Sequence, residues 1–566
     1  MSDGADRADE KRGGEYVYEA LVDAGVELVI GIPGTQTLPL DRTVVERDEM
    51  RYVMARHETA VPHIAWGYYE SGGGVAATLT VPGPGDTNAM HGLKNAYEDC
   101  VPILHVSADV NPEDRGKGPI HEIEADTFDN VVKENVTVES ELELPADLAR
   151  GVETAFEPPY GPVRFGVPSR ILDESFHASA AEVSPERTTW DAGDDVDAAA
   201  EALAGAKCPL VYLGGGARRS PGAPEAVGSI VEDLDAPVIA SYKGKGVFPE
   251  DDPRFLAVTG SHTPEGVRRV LDRADVVLAL GTDFDGIATD HWSLPMGNRL
   301  IHVTLDPEAV DASYEADVVV LADVADAVES IRETLDDAGG RTVDGWDGGR
   351  VATAVREEYR ESLASQGFFE DEPPLNTPGV LEAVRASTPR DAVVTTDVGG
   401  FRLWSKQVFE AYDSRRYITA GSWGGMGVGL PAAIGASLAN PETPTVCLTG
   451  DGGLMMCVHE LHTAAQYDLD LTVVVSNNAD YGIISKSPKI EGYTEGHQFT
   501  WNAPDFARVA KGFGCRGARV ETLADLGDAL DSAIGRDGPD LIDVPIETEE
   551  PSAAAAADYE STIDLP

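Results

Sequence analysis

Lysine is scarce in this chain. Of 566 residues 11 are lysine, so 32 of the 43 cationic side chains are arginine, set against 99 aspartates and glutamates and a formal net charge of −56. The deficit of positive charge runs along the whole sequence rather than sitting in a tail, which argues against a partner that is nucleic acid or an anionic membrane. A lysine-poor acidic surface suits a cytoplasm rich in salt, where screening weakens self-repulsion, and we read it as halophilic adaptation. Cysteine is also sparse: Cys100, Cys208, Cys447, Cys457 and Cys515 are odd in number, widely scattered and form no CxxC pair. That pattern excludes a disulfide framework and a zinc site and leaves five reduced core residues. Long apolar runs are missing as well. Nothing approaches the about 18 residues needed to span a bilayer, and the opening MSDGADRADEKRGGEY has no apolar core, so neither signal peptide nor anchor is expected.

What is present is alternation. The length predicts about three or four domains, and strand-like apolar runs separated by helical or turn segments predict parallel sheets with crossover helices. The first block, 14–173, has such runs at 28–32, 52–55, 75–80, 103–107 and 163–167. The second, 196–335, has them at 210–213, 238–240, 276–280, 300–305 and 318–321. The third, 376–547, holds 445–449 and 471–475. The expected fold class is α/β, three consecutive doubly wound parallel-sheet domains. A linker rich in Ala, Ser, Glu and Asp (174–195) and a Gly/Asp-rich loop (336–349) separate them, and the last 18 residues read as a tail or surface wrap.

The most informative stretch is Thr445 to Gly482. A β-prone run stops at Gly450-Asp451-Gly452-Gly453; Leu454, Val458, Leu461 and Ala465 repeat at helical spacing; a second apolar run ends on Asn477-Asn478. Both polar turns then lie at the carboxyl ends of neighbouring parallel strands, where open α/β sheets bind ligands. Asp451, Asn478 and the carbonyl of Asp480 offer oxygen donors alone, which suits a hard cation such as Mg2+ that keeps water and phosphate oxygens as its other ligands. The start of the helix after Gly453 would face a diphosphate.

GDG followed by 24 residues (453–476) and then NN resembles the cofactor signature of the thiamine diphosphate enzymes. In that signature Asp451, Asn478 and Asp480 match the metal ligands, and Gly453 stands where Ser or Ala is frequent. Three α/β blocks resemble the group that includes acetolactate synthase and the simple 2-oxo acid decarboxylases, with pyrimidine-binding, central and diphosphate-binding domains. The resemblance implies further roles. Arg56-His57-Glu58 is similar to the family's RHE segment, whose Glu bonds the aminopyrimidine and passes it a proton. Val81 to Asn88 resembles the SGPGATN loop. Asp397-Val398-Gly399-Gly400-Phe401 is similar to TDVG, with Gly399, Gly400 and Phe401 donating to the diphosphate. Ser422 to Gly427 resembles the loop that grips the pyrimidine, through the Gly424 carbonyl and the wedge of Met426. Gly450, Gly452, Gly453, Asn478 and Ile483 complete the expected cofactor contacts. Thr35 and Gln36 in the G-x-P-G turn, His121 with Glu122, and Ile484 are candidates for the substrate side.

The yeast-type pyruvate decarboxylases carry a His-His pair and a Glu where this chain has Ile484; both are absent. Asp283 and Ile287 fall at the arginines of the acetolactate synthase RFDDR segment, which makes FAD doubtful, and Gly214-Gly215-Gly216 lacks a full dinucleotide motif. The expected activity is thiamine diphosphate- and Mg2+-dependent decarboxylation of a 2-oxo acid, with ligation to a second carbonyl compound. A benzoylformate-type decarboxylase, a flavin-dependent oxidase and a non-catalytic nucleotide-binding protein stand as alternatives. The resemblance also implies a cytoplasmic homodimer or homotetramer with shared active sites. If the acidic surface is halophilic, the thermal midpoint should rise steeply between dilute buffer and molar potassium chloride; a flat curve would contradict this.

Overall fold

The structure is a computed structural model that describes residues 10–178, 195–340, 345–487 and 499–565. Three six-stranded sheets follow one another along the chain, and every pairing within them is parallel. The first contains β1 (Leu28–Gly31), β2 (Arg51–Met54), β3 (Ala76–Thr80), β4 (Ile103–Asp109), β5 (Glu134–Thr137) and β6 (Val163–Pro168). The second contains β7 (Pro209–Leu213), β8 (Val238–Ala240), β9 (Phe255–Val258), β10 (Val276–Leu280), β11 (Leu300–Thr304) and β12 (Val318–Leu321). The third contains β13 (Val393–Thr396), β14 (Tyr417–Thr419), β15 (Thr445–Gly450), β16 (Leu471–Asn477), β17 (Arg516–Arg519) and β18 (Asp540–Pro545).

The first and third sheets have the same order, β2-β1-β3-β4-β6-β5 and β14-β13-β15-β16-β18-β17, whereas the middle one runs β9-β8-β7-β10-β11-β12. In each sheet the chain leaves its first strand toward one edge and later returns to the other side. The crevices therefore open at the carboxyl ends of β1 and β3, β7 and β10, and β13 and β15.

The central strands are buried on both faces, which is why LVIG, VVLAL and LTVVVSN read as unbroken apolar runs. Several strands that sequence reasoning passed over are mixed: Glu134–Thr137 and Arg516–Arg519 are edge strands carrying charge, and Asp540–Pro545 hides two carboxylates among its apolar residues, whereas Phe255–Val258, also passed over, is apolar throughout. The expected continuous helix after Gly453 is corrected. The α-helix begins at Asp451 and ends at Cys457; a 3-10 turn covers Val458–Glu460, and a second helix runs Leu461–Gln466.

The first and third sheets are joined by helix Ala60–Glu70 and helix Gly429–Ala439, both buried nearly all round. A Cβ on Gly67 would stand 2.2 Å from the Ala432 carbonyl oxygen, and one on Gly435 would stand 2.0 Å from that of Ile64. Backbone meets backbone there. The tail wraps: Ala553 and Ala556 join the core of the third sheet, the carboxylate of Glu358 accepts the Thr562 amide at 2.6 Å, and Ile563 and Leu565 pack on the middle sheet. Among the described residues no helix is long and apolar enough to cross a membrane, and all five cysteines are free.

Gly435→Ala should lower unfolding free energy by about 1–3 kcal/mol, because the contact has no room for a methyl group. Gly228→Ala, inside helix Ala223–Leu234 with nothing within 4 Å of its would-be Cβ, should raise it by about 0.5–1 kcal/mol. Urea titrations read both signs.

Candidate functional site

The crevice of the third sheet is organised by Asp397, the first residue beyond β13 and wholly buried. Its Oδ1 accepts the amides of Val398 at 2.7 Å and Gly427 at 2.9 Å, and its Oδ2 accepts the Thr449 hydroxyl at 3.2 Å. Burial raises its pKa against the pull of those donors. One side chain thus ties the turns after β13 and β14 to the end of β15. It also explains Gly453, since a Cβ there would stand 2.7 Å from Asp397 Oδ2. The missing side chain at position 453 is a requirement of this packing rather than the loss of a contact.

Asp451 opens its helix directly beyond β15, 2% exposed, and its Oδ2 has no hydrogen-bond partner. Burial pushes its carboxyl up to about 7, more than the amides of Gly452 and Ala479 pull it down. Beyond the neighbouring β16, the Asp480 amide donates to Asn478 Oδ1 at 3.2 Å, the intervening Ala479 holds a left-handed φ of 53°, and Asp480 Oδ1 is a second buried oxygen without a partner. Two orphaned carboxylate oxygens at adjacent strand ends are costly unless a cation is bound. Among the described residues no group of three or more His, Cys, Asp or Glu could hold a metal by itself. One carboxylate, one amide oxygen and one carbonyl suit Mg2+ shared with a diphosphate, and the residues present fit that pair.

The other expected cofactor residues converge here. The Phe401 ring lies about the would-be Cβ positions of Gly399, at 2.9 Å, and Gly450, at 3.6 Å. Ile483 Cγ1 is 3.9 Å from that of Gly400, and Tyr481 packs so closely on Gly452 that a Cβ would stand 2.8 Å from its ring. Met426, half-buried, brings its Cε to 3.5 Å from the same point. Gly424 takes a left-handed φ of 62° in the turn that leads to it. Ile484 is 53% exposed.

A second half-site occupies the matching crevice of the first sheet. Glu58 is half-buried beyond β2; Asn88 donates to its Oε2 at 3.1 Å, and Gly85 lies against its Oε1. His121, at a left-handed φ of 67°, bonds Gln36 through Nδ1 at 3.1 Å and packs its backbone on Gly83. Glu122 takes the Gly116 amide instead. Thr35 is exposed, and the residue preceding helix Leu38–Glu46 is Thr37. Glu58, Gln36 and His121 are thus brought around one turn, Val81 to Asn88. Among the described residues none of them is hydrogen-bonded to the metal-side loops.

Sequence reasoning missed the hub role of Asp397, because an acid after a strand reads as solvated, and it missed His91. The Trp423 indole donates to His91 Nδ1 at 2.9 Å, and His91 Nε2 lies 3.4 Å from the Met426 carbonyl. Only its helical spacing from Asn88 could have pointed there.

The crevice of the middle sheet is lined by Gly215, Gly216, Arg219, Asp283, Asp285 and Asp306, among others. Its cations are committed: Arg219 faces Glu70 at 3.7 Å, and Lys243 bridges Glu70 at 3.2 Å and Asp99 at 2.9 Å.

Comparison with protein families matches residues 11–129 to the N-terminal TPP binding domain of the thiamine pyrophosphate enzymes, 196–331 to their central domain and 397–544 to their C-terminal TPP binding domain. Acetolactate synthase isozyme 3 large subunit of Escherichia coli (strain K12) is 30% identical over 531 residues, 92% of this chain and 92% of that protein. Isozyme 1 large subunit of the same organism is 29% identical over 553 residues, 95% and 94%. The probable acetolactate synthase large subunit of Methanococcus aeolicus is 28% identical, covering 96% and 92%.

Asp451→Asn should raise the stability of the cofactor-free protein by about 1–3 kcal/mol, the cost of a buried unpartnered charge. Urea unfolding without cofactor measures it, and a fall in stability would show that the bonds from the Gly452 and Ala479 amides outweigh the cost of burying the carboxylate.

Proposed function

The chain belongs to the thiamine pyrophosphate enzyme family, and from that premise we propose that it decarboxylates a 2-oxo acid on thiamine diphosphate and Mg2+ and joins the product to a second carbonyl compound, as acetolactate synthases do. The observation that carries this reading is the pair of buried, unpartnered oxygens on Asp451 and Asp480 at neighbouring strand ends. We take 14–173, 196–335 and 376–547 as the pyrimidine-binding, central and diphosphate-binding domains.

Asp451, Asn478 and the Asp480 carbonyl would hold Mg2+. Amides of Gly399 to Phe401 and of Gly450, Gly452 and Gly453 would face the diphosphate. The Gly424 carbonyl and Met426 would orient the pyrimidine. Bound thiamine diphosphate would supply a carbon nucleophile and a sink for the electron pair left behind when the carboxylate departs as carbon dioxide. Glu58 would exchange a proton with the pyrimidine through Oε1, the oxygen that Asn88 leaves free. Ile483 and Ile484 exclude water from the reacting carbonyl.

Glu58 and the metal ligands serve one cofactor from two chains in this reading. The Arg56 and His57 amides are held at 2.9 and 3.0 Å by Glu460, which ends the 3-10 turn after the helix that Asp451 opens, so Glu58 stands at the far end of that segment from Asp451. Trp423, Met455, Met456, Tyr481, Ile483 and Ile484 stay exposed in the single chain, an apolar surface that a second copy would cover. This reading assigns no role to flavin, since Asp283 and Ile287 take the places of arginines and Arg219 and Lys243 in the middle crevice are paired with Glu70 and Asp99. A second reading, aldehyde release, is favoured by the strained His121, whose ring Gln36 fixes where a product could be protonated.

A panel of 2-oxo acids assayed for carbon dioxide, with mass spectrometry of products, tests the reaction: a ligated hydroxy-ketone supports the first reading and an aldehyde the second, while no carbon dioxide from any acid contradicts both. Glu58→Gln and Asp451→Ala should each be inactive. Reassembled together they should regain activity in roughly half of the sites of mixed dimers, as twofold symmetry requires. Mixed dimers that stay inactive would place both residues in one chain's site.

A further inference from the structure

Behind the turn that holds Glu58 lies a buried ionic group that the catalytic reading does not use. Asp86 is wholly buried in the first turn of helix Pro84–Glu98. Its Oδ2 accepts Arg164 Nε at 3.0 Å and Nη2 at 2.8 Å, and its Oδ1 accepts His105 Nε2 at 2.7 Å and the Thr80 hydroxyl at 3.4 Å. His105 Nδ1 takes the Thr78 hydroxyl at 2.7 Å, and Arg164 also donates to Asn135 at 3.1 Å with its guanidinium 4.8 Å from the centre of the Phe128 ring. His105 is fully buried and Arg164 2% exposed. Both stand on interior strands, β4 and β6, so the group fastens the helix start to the rigid middle of the sheet.

Such a group is poor evidence of stabilisation, since apolar residues of similar volume often replace buried ions at no loss. Position 86 is alanine in the SGPGATN loop that this turn resembles. What the ions supply is position. Within the turn they anchor, Asn88 donates to Glu58 Oε2 at 3.1 Å and accepts the Thr59 hydroxyl on its carbonyl at 3.0 Å. Gly85 would bring a Cβ to 3.6 Å from Glu58 Oε1, and Gly83 holds a left-handed φ of 62° that Thr87 braces through its hydroxyl at 2.8 Å.

We propose that Asp86, Arg164 and His105 are positioning residues that act through Asn88 to fix which oxygen of Glu58 faces the cofactor. The proposal rests on the reading of Glu58 as the proton-exchanging group. With Oε2 occupied by the Asn88 amide, Oε1 is the oxygen left to give its proton to a ring nitrogen and take it back. If the turn drifts, Glu58 can rotate and the proton path lengthens, while the metal and diphosphate contacts in the other half-site are untouched.

The test compares Asn88→Ala, the triple variant Asp86→Ala/Arg164→Leu/His105→Leu, and their combination. Two quantities are read without substrate: the affinity for thiamine diphosphate with Mg2+ by calorimetry, and the exchange rate of the cofactor's thiazolium C2 proton by quenched-flow NMR. Affinity should stay within about threefold, and exchange should slow about tenfold to a hundredfold in each, the scale of a displaced catalytic group. The combination should be no slower than either. In the cofactor-free protein the infrared carboxylate band of Glu58, assigned by difference against Glu58→Gln, should shift in both variants. A folded triple variant that exchanges at the wild-type rate would overturn the proposal, and so would Asn88→Ala with an unshifted band. Should the triple variant fail to fold, Asp86→Asn takes its place with the same readouts. If Glu58→Gln itself leaves exchange unchanged, the catalytic reading fails instead.

Discussion

A single buried carboxylate, Asp397, sets the shape of the cofactor-side half-site. Among the described residues it has no cation partner; the amides of Val398 and Gly427, from the turns after β13 and β14, and the Thr449 hydroxyl, near the end of β15, hold it. Because it fills the space between those turns, residues around it cannot carry side chains. Gly429 would place a Cβ 2.8 Å from that of Asp397, and Gly453 would strike its Oδ2. Gly429 and Gly453 thus follow from the size of one residue, while Gly399 and Gly450 make room for Phe401, Gly452 for Tyr481, and Gly424 and Gly427 take left-handed φ values. The same packing brings Phe401, Met426 and Tyr481 around a common crevice, and leaves Asp451 and Asp480 facing it with oxygens unspent.

The fold repeats this solution in the first sheet. Two sheets of identical strand order face opposite demands at corresponding crevices in the proposed reading, where one would gather oxygens for a cation and backbone amides for an anion and the other would present a carboxylate that moves a proton. The paired helices Ala60–Glu70 and Gly429–Ala439 start near the two half-sites and cross at glycines, so the relation between them is set by backbone contact with little slack. The middle sheet, of different order, spends its buried cations on Glu70 and Asp99. Those ions also steady the third sheet, since Lys243 donates to the Thr419 carbonyl at 3.1 Å and Asp99 accepts the Gly421 amide at 3.3 Å, at the root of the turn that carries Met426.

Much of this was legible in the sequence because parallel strands buried on both faces are continuous apolar runs, and because GDG and NN mark strand ends. Strands such as Val238–Ala240, Val276–Leu280 and Val318–Leu321 fall where the runs predict them. Charged edge strands did not declare themselves, since Arg516–Arg519 owes its place to pairing with Asp540–Pro545 and not to its own composition. The break at Val458–Glu460 was hidden by side chains that keep helical spacing across it. The hub at Asp397 and the Asp86–Arg164–His105 group were hidden for another reason: Gly427 lies 30 residues beyond Asp397 and Arg164 lies 78 beyond Asp86, and buried charge looks like surface charge until such partners are placed.

The central claim is that Asp451, whose Oδ2 is left without a partner at the end of β15, forms with Asn478 and the Asp480 carbonyl beyond β16 a hard-cation site facing a diphosphate. A crystal structure with thiamine diphosphate and Mn2+ in place of Mg2+ tests it most directly, because the anomalous signal locates the metal without reference to any chemical expectation. The account predicts one strong peak per chain within bonding distance of Asp451, Asn478 and the Asp480 carbonyl. A cofactor bound with no peak there, or with the metal elsewhere, would contradict it.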